Sequence, residues 1–200
     1  MRTLATAATL VAALGWTGAG AIAQTTLIDL RTADGVRAVR GEWRYGDVKI
    51  VEVDGVGPDK KPVKTYNIEP KAFGADFDDG DWEVLDPTTL GKARSTGQVC
   101  FCWYRIKVTL PEQAAGKKVE FVTTVDDYGE VWVDGELPRR LKQSGGSIVA
   151  GFNVPNRVEL PDAQAGRTYQ VAIFAMNGPI SAAPGNWIFL RDTYLEISEK

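Results

Sequence analysis

Histidine is absent from this 200-residue sequence, and cysteine occurs only twice. Without an imidazole there is no Ser-His-Asp or Cys-His nucleophile pair and no H-E-x-x-H metal site. Any chemistry would have to come from carboxylates, lysine, tyrosine or cysteine. Basic residues are also few, since Lys+Arg total 23 against Asp+Glu 26, for a net charge of −3. A nucleic-acid partner would require a broad basic surface, so none is expected.

Long hydrophobic runs are confined to the N-terminus. Arg2 supplies a short positive region, residues 4–14 are largely apolar and rich in alanine, and Ala21-Ile22-Ala23 fits an A-x-A cleavage site. The alternative is an N-terminal membrane anchor, which the G-W-T-G-A-G stretch at 15–20 disfavours because it interrupts the roughly 20 apolar residues of a spanning helix. The sequence predicts a signal peptide over 1–23, a periplasmic or secreted location, and no membrane partner after cleavage.

The two cysteines, Cys100 and Cys102, are separated by one residue. In a strand, residues i and i+2 lie about 6.6–6.8 Å apart, at the upper edge of disulfide geometry. Two buried thiols are therefore the favoured interpretation, with a strained redox pair or an intermolecular bridge as alternatives. Two thiols without histidine are also too few for a structural zinc site.

The mature chain has the pattern of short β-strands separated by turn signals. The predicted strands cover 48–53, 99–110, 118–125, 130–134, 157–160, 168–176, 187–191 and 194–197. Asp134-Gly135 is a strong type I′ hairpin signal. Single helical turns fit at 113–116 and 162–166, and no longer amphipathic helix is predicted. The pattern indicates an all-β fold, an antiparallel β-sandwich of the jelly-roll type, as a single domain over 24–200.

Several segments resemble the N-terminal sugar-binding domain of family 2 glycoside hydrolases. F-D-D-G-D-W-E-V at 77–84 is similar to that domain's F-D-D-x-x-W segment, and W-Y-R at 103–105, in a strand that ends in Leu110-Pro111, resembles its W-Y-R-x-x-x-x-L-P strand. V-D-D-Y-G-E-V-W-V-D-G at 125–135 resembles its V-D-x-x-A-x-V-W-V-N-G hairpin, and Gly145-Gly146 its G-G loop. The order and spacing match over roughly residues 70–180, with 24–70 poorly covered and expected to lie at the sandwich edge.

The broader superfamily is the galactose-binding-domain-like jelly roll. The segments 126–135, 151–158 and 177–181 also resemble the sandwich domain found beside gluconolactonase-like propellers in some exported bacterial proteins. This sequence contains no propeller, so a lactonase activity is not carried over. The resemblance implies a β-sandwich, usually non-catalytic, that binds sugar or docks a catalytic neighbour.

Polar residues cluster in the loops expected at one end of such a sandwich. Carboxylates suit bidentate contacts with sugar hydroxyls, asparagine and arginine offer donors and acceptors in fixed planes, and an aromatic ring can stack on a pyranose face. The alternatives are that the aspartates solvate a turn, that the asparagines cap turns and that the aromatic rings pack in the core. The predicted ligand-binding residues are Asp126, Asp127, Tyr128, Asn153, Asn156, Arg157, Asn177 and Trp187.

The acidic loop D-F-D-D-G-D at 76–81 raises the question of a cation site. Clustered carboxylates suit calcium, but the spacing does not fit an EF-hand. A surface turn leading into a buried Trp82 is the favoured interpretation, so no metal or cofactor is predicted and a structural calcium stays an alternative. Trp43, Trp103 and Trp132 are assigned to packing, although strand parity places Trp132 on the face opposite its valine neighbours.

These observations predict an exported, non-catalytic module that binds a carbohydrate or polyol. The first alternative is a protein-interaction module that docks a separately encoded hydrolase or lactonase. A less favoured alternative is a glycosidase or lactonase that uses carboxylates alone, because glycosidases need two carboxyl groups placed across the sugar.

Overall fold

The computed structural model describes residues 25–95, 100–138, 146–151, 153–178 and 186–200. The predicted signal peptide, Gly145 and Phe152 lie outside the described residues, as does most of the segment that follows Asn177. Within the described ranges, no helix is long and apolar enough to cross a membrane.

Two antiparallel sheets form the sandwich, and a separate hairpin accompanies them. The strands are β1 Thr26–Asp29, β2 Trp43–Asp47, β3 Lys49–Val56, β4 Pro62–Glu69, β5 Glu83–Leu85, β6 Cys100–Thr109, β7 Lys118–Val125, β8 Tyr128–Val133, β9 Ile148–Ala150, β10 Asn156–Glu159, β11 Thr168–Asn177 and β12 Leu190–Ser198. A short helix, α1, spans Ala33–Ala38, and 3-10 turns lie at Pro87–Thr89 and Glu112–Ala114. The four-stranded sheet has the order β1-β12-β7-β10, the six-stranded sheet β5-β2-β6-β11-β8-β9, and β3 pairs with β4. The predicted all-β antiparallel sandwich is confirmed.

The longest predicted strands agree closely with the structure. The strand predicted over 118–125 is β7, and the two strands predicted over 187–197 are largely one strand, β12, whose register shifts between Arg191 and Tyr194. The elements that the sequence did not predict are α1, β1, β2, β4, β5, β9 and the 3-10 turn at Pro87–Thr89. The segment 162–166 forms turns without a helix, whereas the predicted turn at 113–116 overlaps the 3-10 turn Glu112–Ala114.

The Asp134-Gly135 hairpin turn is confirmed. Both residues have positive φ, 51° and 84°, as a type I′ turn requires. Val133 N donates to Glu136 O at 2.8 Å, and Glu136 N donates back to Val133 O at 2.9 Å. The turn therefore closes as the dipeptide predicts.

The main core lies between the two sheets. Side chains that alternate along β6, among them Cys102, Tyr104 and Ile106, face the buried residues Phe121 and Leu195 of the four-stranded sheet. Cys100 and Cys102 are both free thiols and both buried, which agrees with the interpretation of two buried thiols. Trp43 is fully buried in this core and donates from Nε1 to Leu30 O at 2.9 Å.

A second apolar cluster covers the outer face of the six-stranded sheet. Trp103 is buried there, packs on Phe174 and donates from Nε1 to Pro70 O at 2.9 Å. Trp132 stacks on Phe73 with ring centroids 4.5 Å apart. The loop between β4 and β5 therefore lies across this face and covers the second cluster. Both tryptophans pack as predicted.

Trp82, which the sequence predicted to be buried, is only partly buried and packs against the second apolar cluster. Its ring packs on Phe77 at 5.3 Å and over Gly46, where a Cβ would lie 2.5 Å from Trp82 Cε2. Glycine at position 46 is what allows the indole this close to β2.

The hairpin of β3 and β4 stands apart from both sheets. Ile50, Val56 and Tyr66 are exposed on it, and a two-stranded hairpin buries little apolar surface by itself. The expectation that strands in 24–70 lie at the sandwich edge holds for β1, which is an edge strand. It is wrong for β2, which lies between β5 and β6.

Candidate functional site

A polar cleft opens at one end of the sandwich, where β7 turns into β8 and β12 begins. It has a volume of about 230 Å³. The lining residues come from the β7–β8 turn, the end of β11 and the approach to β12, and they are Asp126, Asp127, Asn177, Gly178, Asn186, Trp187 and Phe189. Four of the eight predicted ligand-binding residues therefore meet here: Asp126, Asp127, Asn177 and Trp187.

Main-chain hydrogen bonds hold the acidic turn in place. Asp126 N donates to Phe189 O at 3.4 Å, and Asp127 N donates to Met176 O at 3.2 Å. Asp127 O in turn accepts from Gly151 N at 2.8 Å. Because the turn is tied to β11, to the approach to β12 and to the segment after β9, its two carboxylates are presented by a rigid frame.

The two carboxyl groups of the turn interact with each other. Burial raises the pKa of Asp126, the hydrogen bond to Asp127 and its charge raise it further, and the positive charge of Arg191 partly opposes this. A raised pKa means that the protonated form is more favoured for Asp126 than for an ordinary surface aspartate. Asp126 therefore keeps its proton to a higher pH than an ordinary surface aspartate does.

Trp187 supplies an exposed aromatic surface beside the carboxylates. Its side chain is 43% exposed, in contrast to the buried Trp43 and Trp103. The Asn177 side chain, itself buried, donates from Nδ2 to Trp187 O and so fixes the main chain that carries the ring. Asn177 thus acts as a positioning residue for Trp187 and leaves the ring face available.

Tyr128 does not line the cleft. It lies on the outer face of β8, where its hydroxyl donates to Glu130 Oε1 at 2.7 Å. Trp132 Nε1 donates to the other carboxylate oxygen of the same Glu130 at 3.0 Å. Glu130 therefore links two aromatic side chains of the second cluster, and Tyr128 has a structural role as part of that cluster.

Asn156 is also placed away from the cleft. It is fully buried, and its Nδ2 donates to Gly129 O at 2.9 Å and to Ser147 O at 3.1 Å. A Cβ at position 129 would lie 2.6 Å from Asn156 Oδ1, so the close approach requires glycine there. Asn156 was predicted to contact a ligand. In the structure its side chain instead links β10, to which it belongs, to β8 and to the segment that precedes β9.

Arg157 and Asn153 are occupied by internal contacts. Arg157 Nη1 lies 3.1 Å from both Glu120 Oε2 and Glu196 Oε2 on the outer face of the four-stranded sheet, and these carboxylates raise its pKa against the opposing effect of burial. Asn153 Oδ1 accepts from Arg191 Nη2 at 3.1 Å. The structure does not bring Arg157 to the cleft, because β10 points its side chain to the opposite side of that sheet from the core.

Gly178, Asn186 and Phe189 also line the cleft, although none of them is among the predicted ligand-binding residues. Asn186 and Phe189 lie within two residues of the predicted Trp187, and this proximity in sequence is the signal that points to them. Among the described residues no three Cys, Asp or Glu side chains form a group that could hold a metal ion. The structural calcium stays an untested alternative.

No family model matches the chain. Human alpha-mannosidase 2C1 is 31% identical over 91 residues, which is 46% of this chain and 8% of the mannosidase. A calcium binding mutant of beta-glucuronidase 2 from Bacteroides uniformis superposes with a TM-score of 0.54 at 15% identity, covering 88% of this chain and 18% of that one. Bacteroides uniformis beta-glucuronidase superposes with a TM-score of 0.51 at 15% identity, with the same coverage.

These likenesses define the class of fold. The chain has a jelly-roll β-sandwich similar to a part of the beta-glucuronidases, which confirms the predicted resemblance to the sugar-binding domain of family 2 glycoside hydrolases at the level of the fold. The chain spans less than a fifth of the length of these proteins. A fold does not by itself define an activity, which depends on the residues of the site.

Proposed function

We propose that this protein is an exported, non-catalytic carbohydrate-binding module. The observation that carries the proposal is the cleft in which the exposed Trp187 lies beside Asp126 and Asp127. An aromatic face next to hydrogen-bonding side chains is the arrangement that suits a sugar ring, which has an apolar face and a rim of hydroxyl groups. The fold similarity to parts of glycoside hydrolases supports a carbohydrate-related role.

The binding mode follows from the chemistry of the lining. The Trp187 ring stacks on the pyranose face, and the carboxylate oxygens of Asp127 accept hydrogen bonds from adjacent sugar hydroxyls. A volume of about 230 Å³ is below the ~300–1,000 Å³ of typical ligand pockets. The cleft therefore suits one ring or the end of a chain, held with modest affinity.

The arrangement of the carboxylates favours binding over hydrolysis. Glycosidases place two carboxyl groups about 5–10 Å apart on either side of the scissile bond, one as acid and one as base or nucleophile. Asp126 and Asp127 are consecutive residues of one turn and line the same cleft, an arrangement unlike two carboxyl groups placed across a scissile bond. This geometry supports the non-catalytic reading over the carboxylate-only enzyme.

Calorimetric titration with neutral sugars, supported by thermal unfolding, tests the proposal. Ligand at a hundredfold excess over Kd stabilises the native state by about 2.7 kcal/mol, which a melting curve detects. We expect binding of one sugar class, with loss of at least about tenfold in affinity for Trp187→Ala, because stacking contributes about 1–3 kcal/mol per ring in comparable aromatic contacts. Asp127→Asn tests the carboxylate.

The matched controls lie on the β3–β4 hairpin. Tyr66→Ala removes an aromatic ring that is 71% exposed, and Asp54→Asn removes a carboxylate that is 87% exposed. Both should leave sugar affinity unchanged. Sugar binding that is equal in Trp187→Ala and Tyr66→Ala would contradict the assignment of the cleft, and release of product from an aryl glycoside would contradict the non-catalytic role.

Docking of a separately encoded hydrolase or lactonase is the second candidate function. It is favoured by the hairpin, on which Ile50, Val56 and Tyr66 are exposed without a covering layer among the described residues. Exposed apolar groups of this kind mark interaction surfaces. Absence of any sugar binding, together with association with such an enzyme that Tyr66→Ala weakens and Trp187→Ala does not, would favour this function.

A further inference from the structure

A second polar cavity lies on the outer face of the six-stranded sheet, apart from the cleft at Trp187. It has a volume of about 210 Å³ and is bounded by the end of α1, by β2, β6 and β11, and by the acidic loop. The side chains that matter for its chemistry are Arg40, Arg44, Arg105, Lys107, Asp79 and Gln170.

The cavity is rich in positive charge in a protein of net negative charge. The cavity is lined by two carboxylates, and each forms an ion pair: Glu42 with Arg44, and Asp79 with Arg105. Arg40 and Lys107 are exposed at the rim, and neither makes an ion pair with another described residue. The cavity therefore presents two uncompensated cations, which favours an anionic ligand.

Gln170 lines this cavity and carries a side-chain acceptor that is not used. Its side chain is 5% exposed, and Nε2 donates to Ile106 O at 3.2 Å and to Val171 O at 3.0 Å. Gln170 Oε1 is buried and has no hydrogen-bond partner among the described residues. Buried polar atoms without a partner are rare in folded proteins, so this oxygen calls for a donor from outside the protein.

From these observations we propose that the cavity binds a sugar acid, that is, a polyhydroxy compound with a carboxylate. A ligand hydroxyl donates to Gln170 Oε1, and the carboxylate is held by Arg40 and Lys107 at the rim. A simple anion without an O–H group, such as chloride or sulfate, would pair with the cations but offer no donor, and a neutral sugar would donate to Gln170 but leave the cations unpaired. Gln170 and Lys107 are direct neighbours across β11 and β6, so one small molecule can reach both.

Titration of the purified protein with D-glucuronate and with D-glucose, its neutral counterpart, tests this inference. We expect glucuronate to bind at least about tenfold more tightly than glucose, and Lys107→Gln and Arg40→Gln each to lower its affinity about tenfold, the usual size of a charge-assisted hydrogen bond. Raising the salt concentration should weaken binding in parallel. A uronate-terminated oligosaccharide in a further arm distinguishes a chain end from the free acid as the preferred form.

Two further readouts separate a ligand contact from a structural effect. The side-chain amide resonances of Gln170, assigned by their loss in Gln170→Met, should move on addition of glucuronate and not of glucose. Arg37→Gln removes an arginine of α1 three positions from Arg40 and outside the cavity, and should leave glucuronate affinity unchanged.

The outcomes that overturn the inference also distinguish it from the proposed function. Equal affinity for glucuronate and glucose, no binding of glucuronate, or an equal effect of Arg37→Gln and Lys107→Gln would overturn it. Glucuronate binding lost in Trp187→Ala and retained in Lys107→Gln would place the acid in the cleft, which overturns the second site and leaves the proposed function standing. If neutral sugars fail to bind while the cavity variants behave as expected, the proposed function is overturned and the second site stands.

Discussion

Arg105 Nε lies 2.7 Å from Asp79 Oδ2, and the same buried guanidinium donates to the main-chain oxygens of Ala72, Gly74 and Phe77. Arg105 belongs to the W-Y-R segment of β6, and Asp79 to the F-D-D-G-D-W segment of the acidic loop. Two segments that stand apart in the sequence are thus one structural unit. The arginine, with donors in a fixed fork, closes the loop over the second apolar cluster.

Asp79→Asn should destabilise the protein by about 2–3 kcal/mol. Removal of one partner of a buried ion pair leaves the other charge uncompensated and usually costs about 3–5 kcal/mol, and Asp79 is 22% exposed, which lowers the figure. Arg105→Lys should cost a similar amount, because an ammonium cannot reach four acceptors spread along the loop. Urea unfolding gives both values.

Asp78→Asn is the matched control for Asp79→Asn. Asp78 is exposed, and its Oδ1 accepts from Gly80 N at 3.0 Å, a bond that an asparagine retains. We expect a change within about 0.5 kcal/mol, as for surface substitutions generally. Equal losses for the two variants would mean that the total charge of the loop, and not the pair with Arg105, stabilises it.

Asn156→Asp should be among the most destabilising isosteric changes in this chain. The replacement turns a donor that satisfies carbonyl oxygens of Gly129 and Ser147 into an acceptor facing them. Leaving such buried groups unpaired costs about 1–3 kcal/mol, and more when a charge is introduced. The midpoint of urea unfolding at pH 7 should fall accordingly, with partial recovery at low pH, where the new carboxyl is protonated.

Asn153→Asp provides the comparison, since Asn153 is exposed and its Oδ1 already accepts from Arg191. The change retains that acceptor and should alter stability by less than about 0.5 kcal/mol. If Asn153→Asp lowers stability as much as Asn156→Asp does, the internal role assigned to Asn156 is wrong.

Most of the strands that the sequence predicted bury one or both faces in the sandwich, and β3, which belongs to the separate hairpin, is the exception. β6, β7 and β11 carry dense apolar and aromatic residues, and Asp134-Gly135 has the backbone freedom that its turn needs, so local sequence suffices. β4 was missed because its hairpin buries neither face fully, and its composition lacks the apolar alternation of a sandwich strand.

The candidate site was predicted only in part for a different reason. Consecutive Asp126 and Asp127 mark a loop, and the structure does place them in a cleft. The burial of Asn156 depends on carbonyl oxygens of other strands, and the outward direction of Arg157 depends on how β10 pairs with β7. Neither contact has a signal in the neighbouring sequence.

Asp126→Asn should stabilise the protein at neutral pH. Burial and the neighbouring Asp127 raise the pKa of Asp126 in the folded state. Because this pKa is raised, the contribution of Asp126 to stability is fully present below its unfolded-state pKa of about 3.9. That contribution is lost as the pH rises through the folded-state pKa. The melting temperature of Asp126→Asn should exceed that of the unaltered protein near pH 7, and the difference should shrink toward pH 3. Asp54→Asn, at an exposed carboxylate of the β3–β4 hairpin, is the matched control. A difference that grows toward low pH would reverse the sign assigned to Asp126.

The thiols of Cys100 and Cys102 should react with a thiol reagent only as fast as the fold opens. Both are buried and free, and burial raises the pKa of each, so neither is available as a thiolate in the native state. With a stability of about 5–15 kcal/mol, the unfolded fraction is below about 10⁻³, and labelling should be slower than in urea by a comparable factor. Cys100→Ala and Cys102→Ala separate the two sites, and we expect Cys102, deeper in the core, to be the slower. Complete labelling of the native protein within the mixing time would show that this end of β6 opens independently of the sandwich.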